Sequence, residues 1–231
     1  LKYSAESNLK KTVLECGGKN PAVVFNDAEN LDLVAEHVVN GAFWNMGENC
    51  SAISRLIVHK EIKSDLLRKI VHRLRDWKTG DPLDPQNHLG ALIDIEHCKK
   101  VSSYLSEGAV TGGEIDGCFV TPTIYETTSD NKKAKEEIFG PILSVLEVQT
   151  NEEAISLANK TEYGLSASIF SANTRNALRA AKELRAGTVT VNSYGEGDIT
   201  TPFGGYKQSG FGGRDNGVHA HDQYCEVKTI W

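Results

Sequence analysis

The sequence predicts an α/β domain, a largely parallel sheet flanked by helices. Three observations carry this: short apolar runs of strand length, amphipathic stretches of 3.6-residue period between them, and capping or turn residues at the junctions. The run at 22–25 (Ala-Val-Val-Phe) reads as a buried strand. From Leu31 a helix follows, with Leu31, Val34, Val38 and Ala42 on one face and Asp27 or Asn30 able to cap it. Residues 55–59 are strand-like again. Residues 61–76 put Ile62, Leu66, Ile70, Val71 and Leu74 on one side of a helix and Arg and Lys on the other, a solvated face that needs no functional reading.

The alternation repeats downstream. Residues 142–148 read as a strand, and Thr150 with Glu153 forms a capping box that opens a helix. Strand 166–170 follows, then a helix ended by Gly187 and strand 188–191. Two Gly-rich regions lack periodicity, 108–117 and 194–217. The second is too long to be an idle connection, and loops of that length are disproportionately functional.

At 231 residues with 39% hydrophobic content, the chain is long enough to bury a substantial core, and no apolar run approaches a membrane span. Its net charge of −6 offers no basic stripe for nucleic acid. The 5 cysteines form no close pairing pattern, which argues against a disulfide framework and for a reducing, cytoplasmic setting. The first residues carry no secretory layout, and the absence of an initial Met suggests a piece of a longer protein.

Most familiar site chemistries fail on spacing. Gly205 and Gly210 have the separation of a Walker loop, but Phe211 stands where its lysine belongs, and the stretch from Gly210 misses the dinucleotide fingerprint. His219, His221, Asp222 and Cys225 lack the spacing of a closed metal shell, so no metal is expected. No Gly-x-Ser-x-Gly elbow is present. His37, His59, His72, His88 and His97 are scattered and read as surface or packing residues.

A cysteine nucleophile is the strongest remaining option. An arbitrary cysteine is most often a small buried hydrophobe. Cys50 differs, because Asn-Met-Gly-Glu-Asn-Cys-Ser at 45–51 places it after a helix at a glycine bend that can present the sulfur. A free thiol is only a few per cent thiolate at neutral pH, so a base or a lowered pKa is required. Glu15 is a base candidate, at the end of an apolar run and before Gly17 and Gly18. Cys16 is a rival nucleophile, better read as structural.

Together these residues resemble the aldehyde dehydrogenase superfamily. Leu-Glu-Cys-Gly-Gly-Lys-Asn-Pro at 14–21 matches its general-base motif, Gly-Glu-Asn-Cys at 47–50 its nucleophile motif, and Glu-Glu-Ile-Phe-Gly-Pro at 136–141 its nicotinamide-ribose motif. Pro-Phe-Gly-Gly-Tyr-Lys at 202–207, with Ser209 and Gly210, matches the loop that closes the substrate tunnel. The similarity runs over essentially the whole chain.

The resemblance implies Cys50 as nucleophile and Glu15 as deacylating base. It implies that Glu137 bonds the nicotinamide ribose, Phe139 flanks the cofactor, Phe203 lines the substrate tunnel and Asn192 supports the site from behind. It implies NAD as cofactor, with NADP open because the discriminating residue lies outside this chain. The substrate is a small aldehyde, nearest in pattern to the γ-glutamylaminobutyraldehyde and aminoaldehyde branch. Residues 1–14 are expected to end a cofactor domain or linker, 15–224 to form the catalytic domain, and 225–231 to form an oligomerisation strand in a homodimer or homotetramer. The family's cofactor domain and its oxyanion-hole asparagine are absent from the sequence, so no dehydrogenase activity is expected of these residues alone. A cofactor-independent thiol esterase and a non-catalytic assembly fragment are the alternative readings.

Three departures stand out. Cys16 replaces a usual Leu, Asp215 a usual Glu, and Glu48 an often-found Gln. If Glu48 faces inward, it raises the thiol pKa by like-charge repulsion. The chain is also shorter than the family pattern between Leu105 and Phe119.

Overall fold

The structure is a computed structural model and describes residues 1–195 and 197–231. Its centre is a six-stranded sheet. The strands are β1 (Asn20–Val24), β2 (Ile53–His59), β3 (Thr123–Glu126), β4 (Ile142–Val148), β5 (Ser166–Phe170) and β6 (Thr188–Val191). Their spatial order is β6-β5-β1-β2-β4-β3, and every pairing is parallel. Every amino end therefore lies along one edge of the sheet.

The strands alternate side chains between two apolar faces. Ala22, Val24, Leu56 and Val58 pack with helices α1 (Leu31–Phe43) and α2 (Lys60–Leu74) on one side. Val23, Phe25, Ile57 and Ile169 face the other side. There they meet α4 (Asn151–Asn159) and α5 (Thr174–Glu183), numbered after α3 (Ile95–Ser102). Burial on both faces is why β1 reads as an unbroken apolar run rather than an alternating one. Pro21 sits in this central strand at the point where the register with β2 shifts, the kind of irregularity that tolerates a missing N–H.

Caps form largely where the residue types suggest. Asn30, itself at φ 50°, accepts from Leu33 N through its side chain and opens α1. Thr150 Oγ1 accepts from Glu153 N at 3.1 Å, while the Glu153 carboxylate reaches past Thr150 to Gln149 N at 2.7 Å.

Three expectations change. The edge strand β3 was not anticipated. Gly187 does not end a helix: α5 stops at Glu183, and Gly187 instead lets Gly204 pass, since a Cβ there would lie 1.6 Å from Gly204 O. Residues 225–231 pair with no strand among the described residues of this chain, and Val227, Ile230 and Trp231 stand in solvent. Cys98 and Cys118 are joined in a disulfide, where free thiols were expected. Folding brings their Cα atoms to 5.4 Å, a proximity that spacing along the chain does not reveal.

Among the described residues no helix is long and apolar enough to cross a membrane. No group of three or more His, Cys, Asp or Glu is placed to hold a metal ion.

Arg55, only 2% exposed, ties the sheet to a helix end. Its guanidinium donates to Lys19 O (2.9 Å), Leu157 O (3.2 Å) and Ala158 O (2.8 Å), the last two being carbonyls in the final turn of α4. Burial pulls its pKa down to about 10, so it stays charged at neutral pH. Replacing Arg55 with Met strands these acceptors and is expected to cost about 3 kcal/mol. Urea unfolding should show this as a lower midpoint at unchanged slope, and an unshifted midpoint would remove Arg55 from this role.

Candidate active site

Residues 15–20 run along the amino edge of the sheet and touch every part of the candidate site. Leu14–Glu15 pairs antiparallel with Gly210–Phe211, and Cys16 N donates to Ser209 O at 2.9 Å. This fastens the segment to the long loop that precedes the C-terminal turns. At Gly17 and Gly18 the backbone passes so close to its neighbours that no side chain fits. A Cβ on Gly17 would lie 1.9 Å from Glu137 Oε2, and one on Gly18 would lie 2.8 Å from Cys50 O. Through that gap Gly18 N donates to Glu137 Oε1 at 2.8 Å.

The turn carrying Cys50 is built from left-handed backbone. Asn45, Met46 and Gly47 have φ of 52°, 57° and 68° in succession. Gly47 is required here for space as well as for φ, since its Cβ would meet Gly140 O at 2.5 Å. Cys50 follows, half-buried rather than sunk in the core, with its sulfur 3.8 Å from Asn49 Oδ1. The buried Asn20 side chain holds the turn: Nδ2 donates to Cys50 O (2.8 Å) and Ala52 O (2.9 Å), and Oδ1 accepts from Ser166 N (3.0 Å). The Glu48 carboxylate is buried and engaged by Ile93 N at 3.1 Å and His97 Nε2 at 3.3 Å.

Glu15 is exposed as a residue, yet its carboxyl end lies against Gly204. Desolvation and the neighbouring Asp215 carboxylate raise its pKa above the ordinary 4.5, while Arg214 and a backbone hydrogen bond from Gly205 oppose the rise. Lys19 is buried beneath the edge. Desolvation, and then repulsion from Arg55, bring its pKa down to about 7 against the pull of Glu137 and Glu136. Its Nζ has no hydrogen-bond partner among the described residues.

The structure thus gathers Glu15, Cys50, Glu137 and Phe139 at one edge of the sheet. Phe203 joins them through the loop, paired with Asp215 by two backbone hydrogen bonds of 2.6 and 2.7 Å and followed directly by Gly204. Asn192 is not brought there. It follows β6 at the carboxyl edge, where its amide exchanges hydrogen bonds with the Ser171 backbone at 2.9 and 3.0 Å and holds the start of the loop.

Lys19 and Asn20 belong to the motif at 14–21 but carry no sign of their own of a role in the site, and Arg55 lies outside every motif. The histidines have local uses: His37 Nδ1 accepts from Tyr194 N, His59 caps α2, and His88 stacks on Trp77. The cavity enclosed by Gly18, Gly47, Asn49, Glu137 and Phe139 is about 20 Å³, so a ligand would lie on the open side of the edge. Larger clefts of about 530 and 560 Å³ run along α2, away from these residues.

Comparison with known proteins identifies the family of the chain. The model of the aldehyde dehydrogenase family matches residues 1–230. An aminoacetaldehyde dehydrogenase of Pseudomonas aeruginosa is 60% identical over 100% of this chain and 48% of its own length. The γ-glutamyl-γ-aminobutyraldehyde dehydrogenase of Burkholderia cenocepacia superposes with a TM-score of 0.94 at 45% identity, over 98% of this chain and 48% of that one. An indole-3-acetaldehyde dehydrogenase of P. syringae, solved as a complex with NAD+, gives 0.96 at 45% identity over 100% and 49%. The chain spans about half the length of the curated relatives it matches. With the family model matched across nearly every residue, the chain belongs to the aldehyde dehydrogenase family.

Proposed function

We propose that this chain is the catalytic portion of an enzyme that oxidises an aldehyde to a carboxylic acid, with Cys50 as nucleophile, Glu15 as base and NAD or NADP as oxidant. The convergence of Cys50, Glu137 and the segment starting at Glu15 around the side-chain-free Gly17–Gly18 carries the reading. Residues 15–224 are assigned to the catalytic domain, and the asparagine that would complete the oxyanion hole is left to the remainder of the protein.

The residues present suit a nicotinamide nucleotide. Glu137 has Oε1 engaged by Gly18 N, so its carboxylate is pre-oriented to receive ribose hydroxyls, and the half-buried Phe139 stands beside it. When bound, the nicotinamide accepts the hydride that leaves the substrate carbon. The chain's own residues do the rest. The Cys50 thiolate adds to the aldehyde carbon and forms a thiohemiacetal, which becomes a thioester once the hydride has gone. Glu15 then takes a proton from water, the resulting hydroxide adds to the thioester, and collapse expels the Cys50 thiolate and the carboxylic acid product. Phe203 would line the approach, and Asn192 would act at a distance by anchoring the loop that carries Phe203.

An aminoaldehyde is the favoured substrate, since relatives of this chain are named for aminoacetaldehyde and γ-glutamyl-γ-aminobutyraldehyde. The exposed apolar tail formed by Val227, Ile230 and Trp231 supports assembly as a homodimer or homotetramer. A cytoplasmic site rests on the thiols of Cys16, Cys50 and Cys225, and the bond between Cys98 and Cys118 weighs against it.

Three experiments on the full-length protein test this. Cys50→Ala should abolish aldehyde-dependent NAD reduction, and surviving turnover would refute the mechanism. Glu15→Gln should slow turnover by about 10²- to 10⁴-fold and leave an acyl adduct on the Cys50 peptide, detectable by mass spectrometry. In the wild type, kcat should fall as pH drops through the raised Glu15 pKa, because only the ionised carboxylate accepts a proton. The acid limb should therefore lie above pH 4.5, and a limb at or below that value would exclude Glu15 as the base.

A further inference from the structure

Two backbone turns meet at the site, and both are held in conformations that ordinary residues avoid. One is the left-handed run Asn45–Met46–Gly47 before the candidate nucleophile. The other contains Phe139, a bulky aromatic residue at φ 60°. Left-handed backbone at non-glycine residues costs on the order of 1–3 kcal/mol each and persists only where surrounding contacts over-determine it. Contact at Gly47 and Gly140 brings the turns together but supplies no directional bond. A directional link exists elsewhere, in His97 and Glu48.

His97 sits in the first turn of α3, its backbone N held by the capping Asp94 carboxylate at 2.7 Å. Its Nε2 lies 2.6 Å from Phe139 O and 3.3 Å from Glu48 Oε1. Both neighbours are acceptors, so Nε2 must carry the proton and donate, mainly to the nearer carbonyl. The imidazole ring also packs edge-on against the Phe139 ring, centroids 6.0 Å apart at 72°. On the other side, Glu48 belongs to the nucleophile turn: its backbone N donates to Asn45 O and its carbonyl accepts from Asn45 Nδ2, both at 2.9 Å. Its carboxylate also accepts from Ile93 N, just ahead of α3. The side chains of His97 and Glu48 are only 14% and 9% exposed, so water competes weakly for these bonds.

We propose that Glu48 and His97 are a pair of positioning residues that couple the nucleophile turn to the Phe139 turn, so that the thiol and the cofactor-side ring are held in one mutual geometry. The pair touches no reacting atom and acts through Phe139 and through the turn that presents Cys50. The proposal rests on the assignment of Cys50 and Phe139 made above.

Hydrogen–deuterium exchange on the full-length protein tests the coupling without needing turnover. His97→Ala should speed exchange in peptides covering 45–51 as well as 137–141, and Glu48→Ala should speed it in 137–141 as well as in its own turn. His97→Gln and Glu48→Gln, which keep a donor and an acceptor, should restore protection in both peptides and guard against a variant that fails to fold. In kinetics, His97→Ala should raise the KM for NAD about tenfold with a smaller change in the aldehyde KM, and the double alanine variant should be no worse than the poorer single one. Loosening confined to the mutated turn, or strictly additive effects of the two substitutions, would overturn the coupling. Wild-type protein that binds no nicotinamide would instead overturn the functional assignment, whichever way the exchange experiment reads.

Discussion

The candidate site depends on a close approach of backbone to side chain at Gly17 and Gly18. The space a methyl group would need there is already filled by the Glu137 carboxylate and the Cys50 carbonyl. With no side chain in the way, one short segment bonds the substrate-side loop through Glu15 and Cys16, the Glu137 carboxylate through Gly18 N and the nucleophile turn through Asn20. Three chain regions far apart in sequence are thereby set in one register. A side chain at Gly18 would press on the Cys50 backbone, and one at Gly17 would push the Glu137 carboxylate out of its place.

This convergence needs a rigid platform, and the all-parallel sheet provides it. Apolar packing on both faces leaves the strands little freedom, and parallel direction delivers the ends preceding β1, β2 and β4 to one edge. Beneath that edge two cations are buried for different ends. Arg55 is fully used, satisfying carbonyls of Lys19 and of α4. Lys19 is not, and its burial beside Arg55 weakens its hold on a proton while leaving positive potential under Glu137. Glu15, at the rim, is tuned the other way by partial desolvation and Asp215.

The turns above the edge carry the strain. Left-handed backbone at Asn45, Met46 and Phe139 sits where the thiol and the cofactor-side ring must be aimed, as expected where geometry serves function rather than stability. The link through His97 gives Glu48 a use beyond the electrostatic one its neighbourhood to Cys50 suggested: the carboxylate ties the nucleophile turn to His97.

From the sequence alone, periodicity located the five longer or more apolar strands and the main helices, because burial on two faces leaves an apolar record along each strand. The motifs around Glu15, Cys50 and Glu137 were legible as local runs that resemble those of a known family. The short edge strand β3 was not, being too brief to register a period. Nor were the partners of Glu48, the disulfide between Cys98 and Cys118, the burial of Lys19, or the place of Asn192 at the far edge. These depend on which distant segments meet, and a chain read in order records what each residue prefers nearby, while its partners across the fold are chosen only when the packed layers close.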